Sequence, residues 1–278
     1  MLQIGNYNQL KIARITSAGA FLSCDEGEVL LPAYLVPKGA EPGTTLEVFI
    51  YLDSEDQLAA TTKKPKAVVG EFALLRVKDN VSVGTFLDWG LGKDLLLPFA
   101  EQAAPLRRGE KVLVRLYLHS SGRIAASTRL EKFLKPADNS LSEGAEVELL
   151  IYAFSDLGAK VVIDNTFGGL LFRNELFTNP ACGDRLRGYV KKIREDGKID
   201  VTLRRGGVQE AAADREIVLV ALKAHGGLLP LTDKSSPDEI ADLLGLSKKS
   251  FKKAVGGLYK EGLIDMTAEG IKLKEQAG

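Results

Sequence analysis

Apolar and polar residues alternate with a period of two over short stretches of the first two hundred residues. Lys11-Ile12-Ala13-Arg14-Ile15 alternates in this way, and residues 113–117 do so in part. Such alternation predicts β-strands with one face in water. Turn-forming residues such as Ser120-Ser121-Gly122-Arg123 separate the strands. About five strands in each stretch of some 60 residues favour a small Greek-key barrel.

The pattern is repeated along the chain. Residues 70–130 restate residues 5–62 with an offset of 65 or 66 positions. The matching segments include Gly19-Ala20-Phe21-Leu22 with Gly84-Thr85-Phe86-Leu87, and Leu30-Leu31-Pro32 with Leu96-Leu97-Pro98. A looser third copy follows, with strands expected within residues 144–151, 160–171 and 183–203. The repetition predicts one module of about 65 residues used in tandem.

The last 70 residues change to a helical period. Residues 215–223 are predicted to form a helix that stops at Gly226-Gly227. Ser236-Pro237-Asp238-Glu239 is a capping box with proline at the first helical position, and Gly245 ends that helix. Ser247 is predicted to cap a further helix, which a small hairpin around Glu269-Gly270 follows. This order of elements is typical of a winged helix-turn-helix.

Linker-like residues divide the chain into four predicted domains. Proline, glycine and polar residues cluster at 62–66, 134–140 and 204–209. The expected limits are 1–65, 66–137 and 138–206 for the three barrels, and 207–278 for the winged helix domain. The chain has 278 residues, enough for several small domains.

Composition excludes several classes of protein. The two cysteines and two histidines are scattered, which argues against a disulfide framework and a four-ligand zinc site, and no metal-binding residue is predicted. No Walker, HExxH or GxSxG motif is present, so neither a catalytic residue nor a cofactor-binding residue is predicted. The sequence begins without a basic and apolar leader, and its longest apolar runs are too short to cross a bilayer. We therefore expect a cytoplasmic protein without membrane contact.

Charge is balanced overall but not in each module. The chain has 37 basic and 37 acidic residues, yet residues 66–139 hold 12 basic and 8 acidic ones. Residues 1–65 hold 5 basic and 8 acidic ones. The second module is thus the first place to look for phosphate contact, although this surplus also falls within the normal scatter between domains.

The barrel copies resemble the S-one domain, an OB-fold RNA-binding repeat, through their Gly-x-Phe-Leu and Leu-Leu-Pro elements. The whole chain resembles the conserved virulence factor B family of bacterial RNA-binding proteins, through segments 88–99, 189–200 and 233–240. The resemblance implies a mainly β, multidomain fold of three tandem five-stranded OB-fold barrels followed by an α+β winged helix. It also implies RNA binding, regulation of gene expression and no catalysis. Asp156-Leu157-Gly158 departs from the glycine-aromatic pattern, which makes the third copy the weakest predicted binder.

Single strands bind OB-type barrels by stacking bases on aromatic rings beside basic residues. The predicted nucleic-acid-binding residues of the barrels are Phe21, Phe86, Trp89, Lys93, Arg115, Arg123, Lys191 and Lys192. Trp89 lies in a turn-like stretch and is expected to be exposed. Phe99 is expected in the core, and a core position is the alternative for Phe86. For Lys191 and Lys192, a solvated strand edge is an equally good interpretation.

Four lysines of the predicted second helix of the helix-turn-helix complete the set: Lys248, Lys249, Lys252 and Lys253. At about 100° per residue the last three share one face, opposite Phe251, Ala254, Val255 and Leu258. The set lacks the usual readers of base edges, so phosphate contact without strong sequence preference is expected. An ordinary solvated face is the alternative.

Three functions remain open at this point. The favoured one is a non-catalytic protein that binds single-stranded RNA, with duplex nucleic acid as a further partner of the winged helix. The second is a DNA-binding transcription regulator that reads duplex DNA through the winged helix. The third is a protein-interaction scaffold.

Overall fold

The computed structural model describes residues 2–25, 27–176, 179–204 and 208–274, with only the backbone for 208–213. The chain divides into two compact units, Met1–Leu134 and Lys135–Gly278. The first contains two barrels, and the second contains a third barrel and a helical domain. Among the helices so described, none is long and apolar enough to cross a membrane.

The first barrel closes five strands in the order β1-β2-β3-β5-β4. These strands are β1 (Tyr7–Thr16), β2 (Gly19–Cys24), β3 (Gly27–Pro32), β4 (Thr45–Leu52) and β5 (Leu58–Thr61). All pairs are antiparallel except β3 with β5, where Leu30 lies opposite Ala59 in parallel register. Fully buried Leu22, Leu31 and Ile50 fill the interior, as the alternation predicts.

The second barrel repeats this order in β6 (Phe72–Val81), β7 (Gly84–Asp88), β8 (Leu95–Pro98), β9 (Lys111–Leu118) and β10 (Ile124–Ser127). The third repeats it in β11 (Glu146–Ser155), β12 (Gly158–Ile163), β13 (Phe167–Phe172), β14 (Arg185–Ile193) and β15 (Ile199–Thr202). The predicted fold of three tandem five-stranded barrels is confirmed. In each, a parallel pair joins the third and fifth strands and closes the sheet.

One glycine occupies the same place in all three barrels, at the start of the second strand. A Cβ atom there would lie 2.0 to 2.3 Å from a carbonyl oxygen of the facing strand, so only glycine allows the approach. The three positions are Gly19, Gly84 and Gly158, with φ of 145°, 155° and 147°. Two residues further on stand Phe21, Phe86 and Lys160. The third barrel therefore has the same close backbone approach at its glycine but lacks the aromatic ring, as the sequence indicated.

The helical domain contains α1 (Val208–Ala224), β16 (Leu228–Leu229), α2 (Pro237–Leu244), α3 (Lys248–Lys260), β17 (Ile264–Met266) and β18 (Ile271–Leu273). Its sheet has the order β16-β18-β17. This is the predicted winged helix. α1 begins at Val208 rather than Arg215, because the intervening Gln-Glu-Ala-Ala-Ala run is strongly helix-forming.

Local signals set the ends of the two short helices. Ser236 Oγ accepts from the amide of Glu239, whose carboxylate accepts from the amide of Ser236, which confirms the capping box. Gly245 ends α2 in the left-handed conformation, with φ of 63°. Ser247 Oγ accepts from the amide of Ser250 at 3.1 Å and caps α3. The predicted apolar face of α3 is buried: Phe251, Ala254, Val255 and Leu258.

Candidate nucleic-acid interface

Four predicted residues of the second barrel line one cavity of about 450 Å³ in the first unit: Phe86, Trp89, Lys93 and Arg123. Tyr51 of β4 contributes to its wall from the first barrel, and His119 follows β9 of the second. The structure thus brings together residues that are up to 37 positions apart within the second barrel. Arg115 and Phe21 do not line this cavity.

Phe86 lies on β7 and is half-buried. Leu87 beside it is 0% exposed and belongs to the barrel core. Because successive side chains of a strand point to opposite faces, Phe86 faces outward onto the cavity. The alternative prediction, that Phe86 belongs to the barrel core, is therefore wrong. Its ring offers a base an aromatic surface on the wall of this cavity.

Trp89 is only 3% exposed, so the expectation that it is exposed is wrong. Its ring packs edge-on against Phe49 of the first barrel, with ring centroids 5.7 Å apart, and Nε1 donates to the carbonyl oxygen of Lys93 at 2.5 Å. The turn that carries Trp89 folds back onto the neighbouring barrel, which a single-barrel view of the sequence cannot anticipate. Trp89 has no free ring face for stacking.

The two cations of the cavity also bind the first barrel. Lys93 Nζ donates to the carbonyl oxygens of Leu52 and Asp53 at 3.0 and 2.6 Å. Burial, followed by the nearby charge of Arg123, lowers the pKa of Lys93. Arg123 binds both carboxylate oxygens of Asp56, each at 2.6 Å. A phosphate would have to compete with these partners.

We call Phe49, Asp56, Trp89, Lys93 and Arg123 the inter-barrel joint. It combines a shared aromatic contact, a lysine on two carbonyls and a two-point ion pair. A two-point arginine–carboxylate pair sets geometry as well as adding energy. The joint therefore holds the first two barrels in one arrangement.

The remaining predicted residues of the first unit have different surroundings. The guanidinium of Arg115 lies 4.8 Å from the ring centroid of Phe72 and 5.2 Å from that of Phe133, and burial lowers its pKa. The guanidinium of Arg14 covers Phe21 at 3.7 Å from the ring centroid. Neither Arg115 nor Phe21 presents the open surface that the sequence interpretation assumed.

Phe99 is 52% exposed, so the expectation that it belongs to the core is wrong. It opens a 3-10 helix (Phe99–Glu101) directly after Pro98, where the chain leaves the barrel wall. The matching 3-10 helix of the first barrel (Ala33–Leu35) contains Tyr34, which is 79% exposed. Sequence reasoning missed Tyr34; its position after a Leu-Leu-Pro element was the available signal.

Basic residues of the third barrel are mostly paired with acids. Lys191 Nζ lies 2.5 Å from Glu175, and Arg194 lies 2.6 Å from Asp200. Lys192 is exposed and has no side-chain partner within the part of the chain that the structure describes. The interleaved acids lower the positive potential of this surface.

The lysines of α3 contrast with these pairs. Lys249, Lys252 and Lys253 are exposed and Lys248 is half-exposed. Among the described residues none of the four side chains has a hydrogen-bonding or ion-pair partner. Lys248 and Lys249 also lie in the first turn, where the helix dipole disfavours cations. This face presents positive charge that the protein itself does not neutralise.

A second set of unpartnered cations was missed. In the second barrel Arg76, Arg107, Arg108 and Lys111 are exposed, and their side chains have no partner in the described ranges. Arg76 and Lys111 are register neighbours on β6 and β9. The basic surplus of this module pointed to such residues, but a count cannot say which cations stay free.

The comparisons with known proteins agree with this architecture. The S1 (S-one) domain family matches residues 4–63 and 69–129, and the CvfB-like winged helix domain matches residues 216–273. The chain is thus a protein of tandem S1 domains with a C-terminal winged helix. These matches support a nucleic-acid-binding role.

The chain is 31% identical over 269 residues to the uncharacterized protein YitL of Bacillus subtilis. The alignment covers 94% of this chain and 90% of YitL. It is 24% identical over 245 residues to conserved virulence factor B of Staphylococcus epidermidis, across 85% and 82% of the two chains. The chain belongs to the conserved virulence factor B family, as the resemblance indicated.

One solved structure aligns over 98% of both chains, with 25% identity and a TM-score of 0.42. It is a multidomain protein with nucleic acid binding domains from Streptococcus pneumoniae.

Proposed function

We propose that this chain is a non-catalytic cytoplasmic protein that binds single-stranded RNA and regulates gene expression after transcription. Phe86 carries the proposal, because it presents a half-buried ring on the wall of a cavity in an S1-matched barrel. Stacking on such a ring binds single strands of any sequence. The lysines of α3 supply the phosphate contacts that the joint cations are not free to make.

The domains divide this work in the proposal. Bases stack on the first two barrels, residues 1–65 and 66–137. The third barrel, residues 138–206, binds weakly and connects to the winged helix domain, residues 207–278, which contributes the lysines of α3. The third barrel has Lys160 where the others have phenylalanine, and its basic side chains pair with acids. Residues 140–206 alone should bind RNA more weakly than residues 1–139, which keep the two barrels that share Phe49 together.

Filter binding of the full chain to single-stranded RNA, single-stranded DNA and duplex DNA tests the proposal. We expect the tightest binding to single-stranded RNA, with an affinity that falls as salt rises. Phe86→Ala should weaken binding by about fivefold or more, because one stacked base is worth about 1–3 kcal/mol. Phe154→Ala is the matched control, since Phe154 is an exposed ring of the third barrel and lies outside the cavity lining. Equal RNA affinity of the wild type and Phe86→Ala would contradict the proposal, because it rests on stacking against Phe86.

A DNA-binding transcription regulator is the second candidate, favoured by the unpartnered lysines of α3. In helix-turn-helix proteins the corresponding helix enters the major groove. Tight, sequence-specific binding of duplex DNA that exceeds binding of single-stranded RNA would support this candidate over the first.

A further inference from the structure

Tyr34 is the most exposed large apolar or aromatic side chain of the described residues, at 79%. It lies in the 3-10 helix Ala33–Leu35 of the first barrel. This helix is anchored rather than loose, because Thr62 Oγ1 donates to the carbonyl oxygen of Leu35 at 3.0 Å. A large ring held on a fixed backbone and left in water contributes little to the core.

Tyr34 has a basic neighbour, although the first barrel has more acidic than basic residues. Lys63 Nζ lies 5.9 Å from the centroid of the Tyr34 ring. Lys64 follows, is exposed, and has no side-chain partner within the described chain. An aromatic ring with an adjacent ammonium group is the combination that binds a base and its phosphate. A protein-binding surface would instead favour a contiguous apolar patch.

Two features connect the Tyr34 surface with the cavity of the second barrel, although Tyr34 itself does not line that cavity. Tyr51, on the cavity wall, has its pKa raised by burial and then by the neighbouring Tyr34 and Asp53. The linker that carries Lys63 and Lys64 continues to Lys66, whose amide donates to the carbonyl oxygen of Trp89 at 2.7 Å. The same linker therefore passes from the ring of Tyr34 to the turn at the cavity.

We propose that Tyr34 and Lys63 form a second stacking site for a single-stranded nucleic acid, which continues from the Phe86 cavity onto the first barrel. The inference rests on the proposed function, because it assumes that a single strand occupies that cavity. The inter-barrel joint keeps the two sites in one arrangement. The first barrel then takes part in binding despite its net negative charge and its covered Phe21.

Fluorescence anisotropy with a labelled oligouridylate of about 16 nucleotides, long enough for two barrels, tests the inference on the full chain. Tyr34→Ala should weaken binding by about fivefold or more, whereas Tyr34→Phe should retain wild-type affinity because it keeps the ring. The exposure of Tyr34 makes unfolding of either variant unexpected. Lys63→Gln should flatten the log–log salt slope by about 0.7, and Lys38→Gln, an exposed lysine of the same barrel, should not.

Photo-crosslinking of the same oligonucleotide containing 5-iodouridine gives an independent readout. We expect crosslinked tryptic peptides that contain Tyr34 as well as Phe86. If Phe86→Ala weakens binding while Tyr34→Ala does not, and no crosslink reaches Tyr34, the inference is wrong and the proposed function stands. If Tyr34→Phe loses as much affinity as Tyr34→Ala, stacking is wrong. If the wild type does not bind the oligonucleotide, the proposed function is wrong, and the inference that rests on it is wrong as well.

Discussion

The inter-barrel joint and the α3 face both contain cations that the sequence marks for nucleic-acid binding, but their surroundings are opposite. Lys93 and Arg123 are bound to carbonyl and carboxylate oxygens of the first barrel. Lys249, Lys252 and Lys253 are exposed and have no such partners among the described residues. Residue type marks a possible phosphate contact, and tertiary neighbours decide whether the charge is available.

The same difference separates the aromatic residues. The ring of Trp89 is buried against Phe49, whereas the rings of Phe86 and Tyr34 are accessible to solvent. The joint gives the first two barrels a shared interior, because Phe49 of the first barrel belongs to the core cluster of the second. In the proposed function Phe86 stacks on a base, whereas Trp89, three residues further on, has a structural role.

The largest expected effect comes from the aromatic part of the joint. Trp89→Ala should destabilise the first two barrels by about 3–5 kcal/mol, as truncation of a buried aromatic does. Hydrogen exchange of the amides in β7 and β9, measured in the full chain, should become faster as the barrels are destabilised. Phe99→Ala should change stability by no more than about 0.5 kcal/mol. Unchanged protection in Trp89→Ala, together with weaker RNA binding, would assign Trp89 to recognition after all.

The next effect concerns the α3 face. Lys249, Lys252 and Lys253 changed together to Glu should lower RNA affinity by about tenfold or more and leave folding intact, since all three are exposed. Lys11, Lys38 and Lys223 are exposed lysines elsewhere, and their joint change to Glu gives the same net charge. Equal losses in both triple variants would mean that only net charge matters.

A smaller effect is expected from the ion pair of the joint. A double-mutant cycle with Arg123→Gln and Asp56→Asn should give a small favourable coupling energy in urea unfolding, because both side chains are half-exposed and solvent screens their attraction. RNA affinity of the single variants should stay within about twofold of wild type. A loss of affinity in Arg123→Gln that exceeds its loss of stability would contradict the structural role.

The smallest effect is the pH dependence of this pair. The hydrogen bond from Arg123 holds the pKa of Asp56 below its usual value. A carboxyl with a lowered folded pKa stabilises the fold above its unfolded pKa of about 3.9, and this contribution is lost as pH falls through the folded value. The difference in urea midpoint between wild type and Asp56→Asn should therefore shrink as pH is lowered below about 4. A constant difference would show that the carboxylate charge does not matter.

Much of the fold could be predicted from the sequence because local signals specify it. The Ser236–Glu239 capping box acts within a few residues, and the glycine of each Gly-x-Phe element meets the next strand of its own barrel. The joint could not be predicted, because Trp89 and Arg123 meet partners 40 and 67 residues away in another barrel. The exposure of Phe99 and Tyr34 likewise depends on where the chain leaves the barrel wall. The α3 face was predictable because helical periodicity alone separates its two sides.

The salt dependence of RNA binding tests the division between joint and α3 most directly. Each phosphate contact on a single strand contributes about 0.7 to the slope of log affinity against log salt. The variant with Lys249, Lys252 and Lys253 changed to Gln should lose about 2 from the slope. The variant with Lys93 and Arg123 changed to Gln should keep the wild-type slope. A slope that flattens in the joint variant and stays unchanged in the α3 variant would contradict the account.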